Sequence, residues 1–87
     1  MSQLGGDLEQ LATLKATFAK QSQTIQEVAD AVRLQLERTH WHGPAADRFR
    51  GAWAGEFEPS LRRLQAAFEE AGAEVARRRE ALQRAGG

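Results

Sequence analysis

The first half of the chain carries an apolar residue at every seventh position. This series contains Leu4, Leu11, Phe18, Ile25 and Val32. The positions three or four residues away hold Leu8, Leu14, Val28, Ala29 and Leu36, and only Gln21 and Ser22 interrupt the pattern. A narrow apolar stripe with this repeat is typical of an amphipathic helix packed much as in a coiled coil. We predict a helix over about residues 7–39, with a capping box formed by Asp7 and Gln10 at its start.

The second half repeats the pattern with a change of phase near its start. Its seven-residue series is Leu61, Phe68, Val75 and Leu82, with Phe57, Leu64 and Ala71 beside it and Phe49 and Trp53 preceding it. Pro44 suits a first helical turn, where its missing N–H has no intrahelical partner to lose. Pro59 removes a hydrogen bond inside the helix and disfavours helical geometry just before it. We therefore predict a second helix over about residues 45–84 that is kinked near Pro59.

The two helices are separated by one short stretch, THWHGPAAD at residues 39–47. We place a turn at about residues 40–44, in which Gly43 supplies the positive φ that a chain reversal needs. Trp41, at the end of the first helix, is then able to fold back and cover the end of the apolar seam between the helices. The predicted fold class is all-α, a single domain over residues 1–87 that forms an antiparallel helical hairpin.

A lone hairpin of this composition has too few large side chains to form a core. The chain has 20 large apolar residues (Val, Ile, Leu, Met, Phe and Trp) and 16 alanines, distributed along a rod roughly 50 Å long. Chains of this size commonly gain stability by oligomerisation. We therefore expect a dimer in which two hairpins form a four-helix bundle. The predicted hairpin and dimer seam consists of Leu11, Phe18, Ile25, Val32, Phe49, Trp53, Phe57, Leu61, Leu64, Phe68 and Val75.

Charge and composition argue against several classes of function. The 12 basic and 12 acidic side chains cancel, whereas nucleic-acid-binding domains usually carry a basic excess on one face. No apolar run approaches the roughly 18–20 residues of a membrane span. The N-terminal MSQLGGDLEQ has neither a basic region nor an apolar core, so we expect no cleaved signal peptide. We predict no nucleic-acid partner and no membrane span.

The candidate chemical groups do not form a catalytic or metal-binding set. His40 and His42 flank Trp41, but zinc needs three or four ligands, and the chain has no cysteine and no further histidine. No combination of serines and turn histidines suggests a nucleophile with its base. We predict that the protein is not an enzyme and binds neither a metal nor a cofactor.

The strongest charge cluster, RRRE at residues 77–80, allows two interpretations. Arginines near the end of a helix complement its dipole and remain solvated. The alternative is a docking role for this part of the chain.

The Trp41-His42-Gly43 turn between two long helices resembles the signature of the WXG family. These proteins are the early-secreted-antigen-like substrates of bacterial type VII secretion. The resemblance covers the whole chain, because length, central Trp-x-Gly turn, flanking helices and the lack of a signal peptide all match. It implies a small dimeric protein that folds in the cytoplasm and is exported folded, as an export partner, effector or regulator. Trp41 and Gly43 correspond to the family turn.

The chain departs from the family pattern in its export signal. That signal is a tyrosine followed four residues later by Asp or Glu, and this sequence has no tyrosine. Leu61 and Gly72 stand four residues after Phe57 and Phe68, so neither phenylalanine replaces the signal. In the family's heterodimers often only one partner carries it. The resemblance therefore favours a heterodimer with a related hairpin over a homodimer, with the partner's tail contacting the ATPase of the secretion machine.

Two other functions also fit a helical hairpin that contains a Trp-x-Gly turn. One is a cytosolic structural or scaffolding module. The other is a chaperone-like or antitoxin-like hairpin that binds the helices of a larger protein.

Overall fold

A computed structural model describes residues 5–86 of the chain, and the predicted apolar position Leu4 lies outside this range. Helix α1 spans Leu8–Arg38, α2 spans Pro44–Ala52, a π-helical segment spans Trp53–Phe57, and α3 spans Glu58–Arg84. Helix α3 runs back along α1, and the molecule measures 65 × 17 × 15 Å. The predicted all-α helical hairpin is confirmed.

Side chains next to its ends cap α1. The Asp7 carboxylate accepts hydrogen bonds from the backbone N–H groups of Glu9, at 2.9 Å, and Gln10, at 3.0 Å. These two groups have no partner within the helix, so the N-cap satisfies them. At the other end, the Thr39 hydroxyl donates to the Gln35 carbonyl at 2.7 Å. Helix α1 therefore stops where its last carbonyls find partners and the turn begins.

The π-helical segment lies immediately before Pro59. The N–H of Glu58 donates to the carbonyl of Trp53, five residues earlier, and Pro59 itself has no N–H to continue the α-helical pattern. A π turn accommodates about one extra residue, which changes the phase of everything after it by about 100°. Phe49 and Phe57 would point about 80° apart in a regular helix, and the π turn reduces this to about 20°. The change of phase in the apolar pattern has this physical cause.

Small residues allow α1 and α3 to approach each other closely. Ser22 and Ala29 of α1 and Gly72 of α3 are all buried. A Cβ atom at Gly72 would lie 3.2 Å from the Cβ of Phe18, and the Phe18 ring meets that of Phe68 edge-to-face at 5.8 Å. Within residues 5–86, no large side chain is fully buried. The hairpin is therefore one layer thick and encloses no three-dimensional core.

No helix in the described part of the chain combines the length and the hydropathy that a membrane crossing requires.

Candidate functional site

The turn between α1 and α2 depends on the backbone conformation of Gly43. Its φ of 113° and ψ of 177° lie in a region that is essentially restricted to glycine. Gly43 precedes Pro44, the first residue of α2, and its carbonyl accepts from the N–H of Asp47 at 3.0 Å. The glycine thus reverses the chain and also accepts the first hydrogen bond of α2.

Trp41 lies on an aromatic row that runs along the second helix. Its ring is 5.8 Å from that of Phe49, and the Phe49 ring is 6.4 Å from that of Phe57. We call Trp41, Phe49 and Phe57 the aromatic row. Each of the three side chains is 40–43% exposed. Trp41 is therefore a partly exposed surface residue of the turn and does not close the end of the hairpin as a buried lid.

Arg50 joins the turn to α2, and the sequence pattern did not reveal this role. Its Nη1 donates to the carbonyl of Trp41 at 2.8 Å and its Nη2 to the carbonyl of Thr39 at 3.1 Å. The guanidinium carbon lies 6.0 Å from the centre of the Trp41 ring. Arg50 lies on α2, nine residues after Trp41 of the turn, so no helical periodicity brings the two together. A basic residue near a helix end was the only available signal.

An apolar face extends from the aromatic row along the hairpin. We define it as Leu14, Val28 and Val32 of α1 with Phe57 of the π-helical segment and Leu64 of α3, which are 39–46% exposed. Leu14 and Val32 are 18 residues apart, or about five turns, so they project in one direction, and Val28 lies within about 40° of them. Phe57 and Leu64, seven residues apart, also share one direction. Each group lies to one side of the buried contact between α1 and α3.

Charged and amide groups occupy the opposite side of that contact. The Asp30 carboxylate of α1 accepts from Arg62 of α3 at 3.3 Å, and Gln65 of α3 donates to Gln26 of α1 at 3.0 Å. Arg62 also donates to Glu58 at 3.3 Å. Gln26, Asp30, Glu58, Arg62 and Gln65 form the polar face of the hairpin. The two helices are thus bridged by polar groups on one side and leave apolar groups uncovered on the other.

The polar face favours the ionised form of Asp30. The hydrogen bond from the Gln26 amide, supported by Arg62 and Arg33, lowers the pKa of Asp30 below its usual value. These groups donate to the carboxylate and two of them are positively charged, so they favour its charged form. The polar face is therefore most stable when Asp30 is ionised.

The structure distributes the predicted seam residues between two environments. Those that are half-buried are Leu11, Phe18, Ile25, Trp53, Leu61, Phe68 and Val75. Those that are exposed are Val32, Phe49, Phe57 and Leu64. The indole N–H of Trp53 donates to the Glu58 carboxylate at 3.0 Å. The half-buried group contributes to contacts within the hairpin, and the exposed group belongs to the apolar face and the aromatic row.

The three successive arginines contact different parts of the hairpin. Arg77 and Arg78 pair with Glu74 on their own helix at 2.7 and 2.6 Å. Arg79 crosses to α1, where its Nε donates to the Leu8 carbonyl at 2.8 Å. Two of these arginines therefore form exposed ion pairs on α3, and the third ties the end of α3 to the start of α1.

His40 and His42 lie beside each other on the exposed turn. Their ring centres are 6.5 Å apart. Within residues 5–86, no three His, Cys, Asp or Glu side chains are arranged to hold a metal ion. The described part of the site consists of apolar surface and an ordered turn.

Comparison with protein families agrees with this geometry. The family model described as "Proteins of 100 residues with WXG" matches residues 3–86. The chain belongs to the WXG100 family. WXG100 proteins are small helical secreted proteins that pair with other WXG proteins and are not known as enzymes. Neither a curated protein nor a solved structure shows significant similarity to the chain.

Proposed function

We propose that this WXG100 protein is a non-enzymatic substrate of type VII secretion that leaves the cell as a folded dimer. Family membership supports the secretion route, since small secreted substrates of this system are characteristic of the family. In this proposal the protein folds in the cytoplasm and acts outside the cell as an export partner or effector.

The observation that carries the dimer proposal is the uncovered apolar face. Leu14, Val28, Val32, Phe57 and Leu64 remain 39–46% exposed after the hairpin has formed. Contiguous exposed apolar surface bordered by polar groups is typical of protein–protein interfaces. A second hairpin laid on this face would bury it and produce a four-helix bundle. The remaining seam residues would then be covered from both sides.

We further propose that the second hairpin is a related protein and not another copy. The 87 residues contain no tyrosine, so they cannot supply the tyrosine-containing signal that family substrates carry. A related hairpin with that signal would supply it in trans and contact the ATPase of the secretion machine through its tail. Trp41 and Gly43 of this chain would contribute the turn next to that signal.

Secretion from the source bacterium tests the proposal. We expect the protein in culture filtrate from wild-type cells and its retention in cells that lack the type VII ATPase. A cytoplasmic marker protein measured in the same filtrates controls for lysis. Equal amounts in both filtrates would contradict export by this system. Retention of the protein in wild-type cells would instead favour the cytosolic scaffold or chaperone-like module.

A further inference from the structure

The backbone of the Trp-x-Gly turn has few partners of its own. In the described part of the chain, no backbone–backbone hydrogen bond outside the helices involves His40, Trp41 or His42. The neighbouring bonds run from Thr39 back to Leu36 and from Asp47 back to Gly43. Main-chain bonding thus fixes both ends of the turn and leaves its middle, which includes Trp41, without such support.

The Arg50 guanidinium supplies the missing support. It donates to the carbonyl of Trp41 at 2.8 Å and to that of Thr39 at 3.1 Å. Two carbonyls separated by one residue are thereby fixed relative to one rigid planar group. Hydrogen bonds from a charged donor are shorter and stronger than those between neutral groups. A single side chain of α2 therefore holds two carbonyls of the turn, those of Thr39 and Trp41.

The same side chain also contacts the indole. The guanidinium carbon is 6.0 Å from the ring centre of Trp41, which is near the outer limit for a cation–π contact. The hydrogen bonds therefore contribute more than the ring contact. Phe49, the preceding residue of α2, packs its ring 5.8 Å from the indole. Arg50 thus bonds the main chain of the turn, and the Phe49 ring packs against the indole.

From this geometry we infer that Arg50 is the positioning residue of the Trp-x-Gly turn, holding a partly exposed Trp41 in one conformation before any partner binds. An indole that is already ordered loses less conformational entropy when a partner covers it. This inference rests on the proposed function, because it assumes that the turn is read by a partner during export. We call the two hydrogen bonds from Arg50 to the carbonyls of Thr39 and Trp41 the Arg50 clamp. The clamp belongs to the hairpin or its dimer and does not require export, so it has a test of its own.

The main test measures the solvent access of Trp41 by acrylamide quenching of its fluorescence. The Trp53→Phe background leaves Trp41 as the only indole. In this background Arg50→Ala should raise the quenching constant by roughly two-fold, since removing the clamp allows the turn to open locally. Helical content measured by circular dichroism should stay unchanged. Arg48→Ala removes an exposed arginine two residues earlier on α2. Its quenching constant should equal that of the Trp53→Phe background.

A conservative variant separates the geometry of Arg50 from its charge. Arg50→Lys keeps a positive charge on a flexible stem but lacks the planar fork that spans two carbonyls. We expect its quenching constant to lie between those of the unmodified background and Arg50→Ala. If Arg50→Ala also reduces helical content, Arg50→Lys decides the question. The inference would be overturned if the quenching constant of Trp41 did not rise in Arg50→Lys and Arg50→Ala. It would also be overturned if the constant rose equally in Arg50→Ala and Arg48→Ala.

Export provides the second readout and keeps the two proposals distinct. Arg50→Ala should reduce the secreted amount while the protein still co-purifies with its partner hairpin from cell lysate. If the unsubstituted protein is not exported by the type VII system, the proposed function fails while the quenching result still decides the role of Arg50. Secretion of Arg50→Ala at the unsubstituted level would overturn the link between the clamp and export.

Discussion

At the scale of single residues, the turn depends on the backbone conformation of Gly43 and on the side-chain contacts of Trp41. Gly43 is required by its φ of 113° and ψ of 177°, which other residues adopt only with strain. Two residues of α2 hold Trp41: the Phe49 ring packs against the indole, and the Arg50 guanidinium donates to the Trp41 carbonyl. The sequence predicted a glycine with positive φ, because a chain reversal needs one. It did not predict Arg50, since that contact depends on how α2 leaves the turn.

The partial exposure of Trp41 sets the expected cost of removing its side chain. Replacing a fully buried tryptophan by alanine costs about 3–5 kcal/mol. Trp41 keeps 40% of its surface exposed, so we expect Trp41→Ala to cost only about 1–3 kcal/mol. Urea unfolding of the folded assembly, followed by circular dichroism, measures this change.

His42 provides the matched control within the same turn. It is exposed and lies between Trp41 and Gly43, the two residues of the Trp-x-Gly motif. His42→Ala should change the free energy of unfolding by less than about 0.5 kcal/mol. A loss as large as that of Trp41→Ala would show that the turn relies on histidine contacts that the present geometry lacks.

At the scale of helices, the repeat of apolar residues predicted the hairpin and the structure confirms it. The apolar repeat could not predict the polar face, because a hydrogen bond such as that from Arg62 to Asp30 depends on the register between α1 and α3. The π turn before Pro59 is a further case. The sequence contained the proline and the change of phase, but their connection through an N–H of Glu58 bonded five residues back requires the backbone.

The close approach of α1 and α3 makes Gly72 sensitive to substitution. A side chain there would meet the Cβ of Phe18, which cannot move without displacing α1. We expect Gly72→Leu to destabilise the hairpin by about 1–3 kcal/mol through overpacking. Ala66→Leu, at an exposed position of the same helix, adds a similar side chain without that contact. Thermal unfolding that is equal for the two variants would contradict close packing at Gly72.

The polar face predicts a defined acid sensitivity. Because the folded-state pKa of Asp30 is lowered, its contribution to stability is complete above the unfolded value of about 3.9. It is lost as the pH falls from about 4 through the lower folded-state pKa. Asp30→Asn should therefore be less stable than the unsubstituted protein at pH 7, and the difference should shrink below pH 4. Urea unfolding at pH 7, 4 and 3 measures this.

A carboxylate outside the polar face controls for general acid effects. Glu27 is exposed on α1, three residues before Asp30, and has no ion pair within the described residues. Glu27→Gln should follow the unsubstituted protein at all three pH values. If the difference for Asp30→Asn is the same at every pH, ionisation of Asp30 does not stabilise the contact between α1 and α3.

At the scale of the whole molecule, the hairpin is a thin rod of 65 × 17 × 15 Å. A rod of this shape buries only a small part of its apolar surface. Within residues 5–86 only Ala29, Ala46 and Ser22 are buried non-glycine side chains. Their burial supplies little hydrophobic stabilisation, at about 25 cal/mol per Å² of apolar area. We therefore expect the isolated chain at micromolar concentration to be either a stable dimer or poorly folded. Light scattering combined with circular dichroism distinguishes these states, and a cooperatively unfolding monomer would contradict the bundle.

The position of the apolar face also determines how that dimer should respond to a charge. Val28 and Leu64 are each 46% exposed on this face, one on each long helix. Introducing Val28→Glu or Leu64→Glu would place a charge where a second hairpin must exclude water, at a cost that a partner's apolar side chains cannot offset. Either variant should weaken dimerisation by at least about ten-fold, measured by sedimentation equilibrium with the co-expressed related hairpin.

Lys20→Glu changes charge at an exposed α1 position outside the defined apolar face and should leave association within about two-fold. Because the polar face already bridges α1 to α3 on the opposite side, these substitutions test the surface on which we propose that a second hairpin completes the bundle.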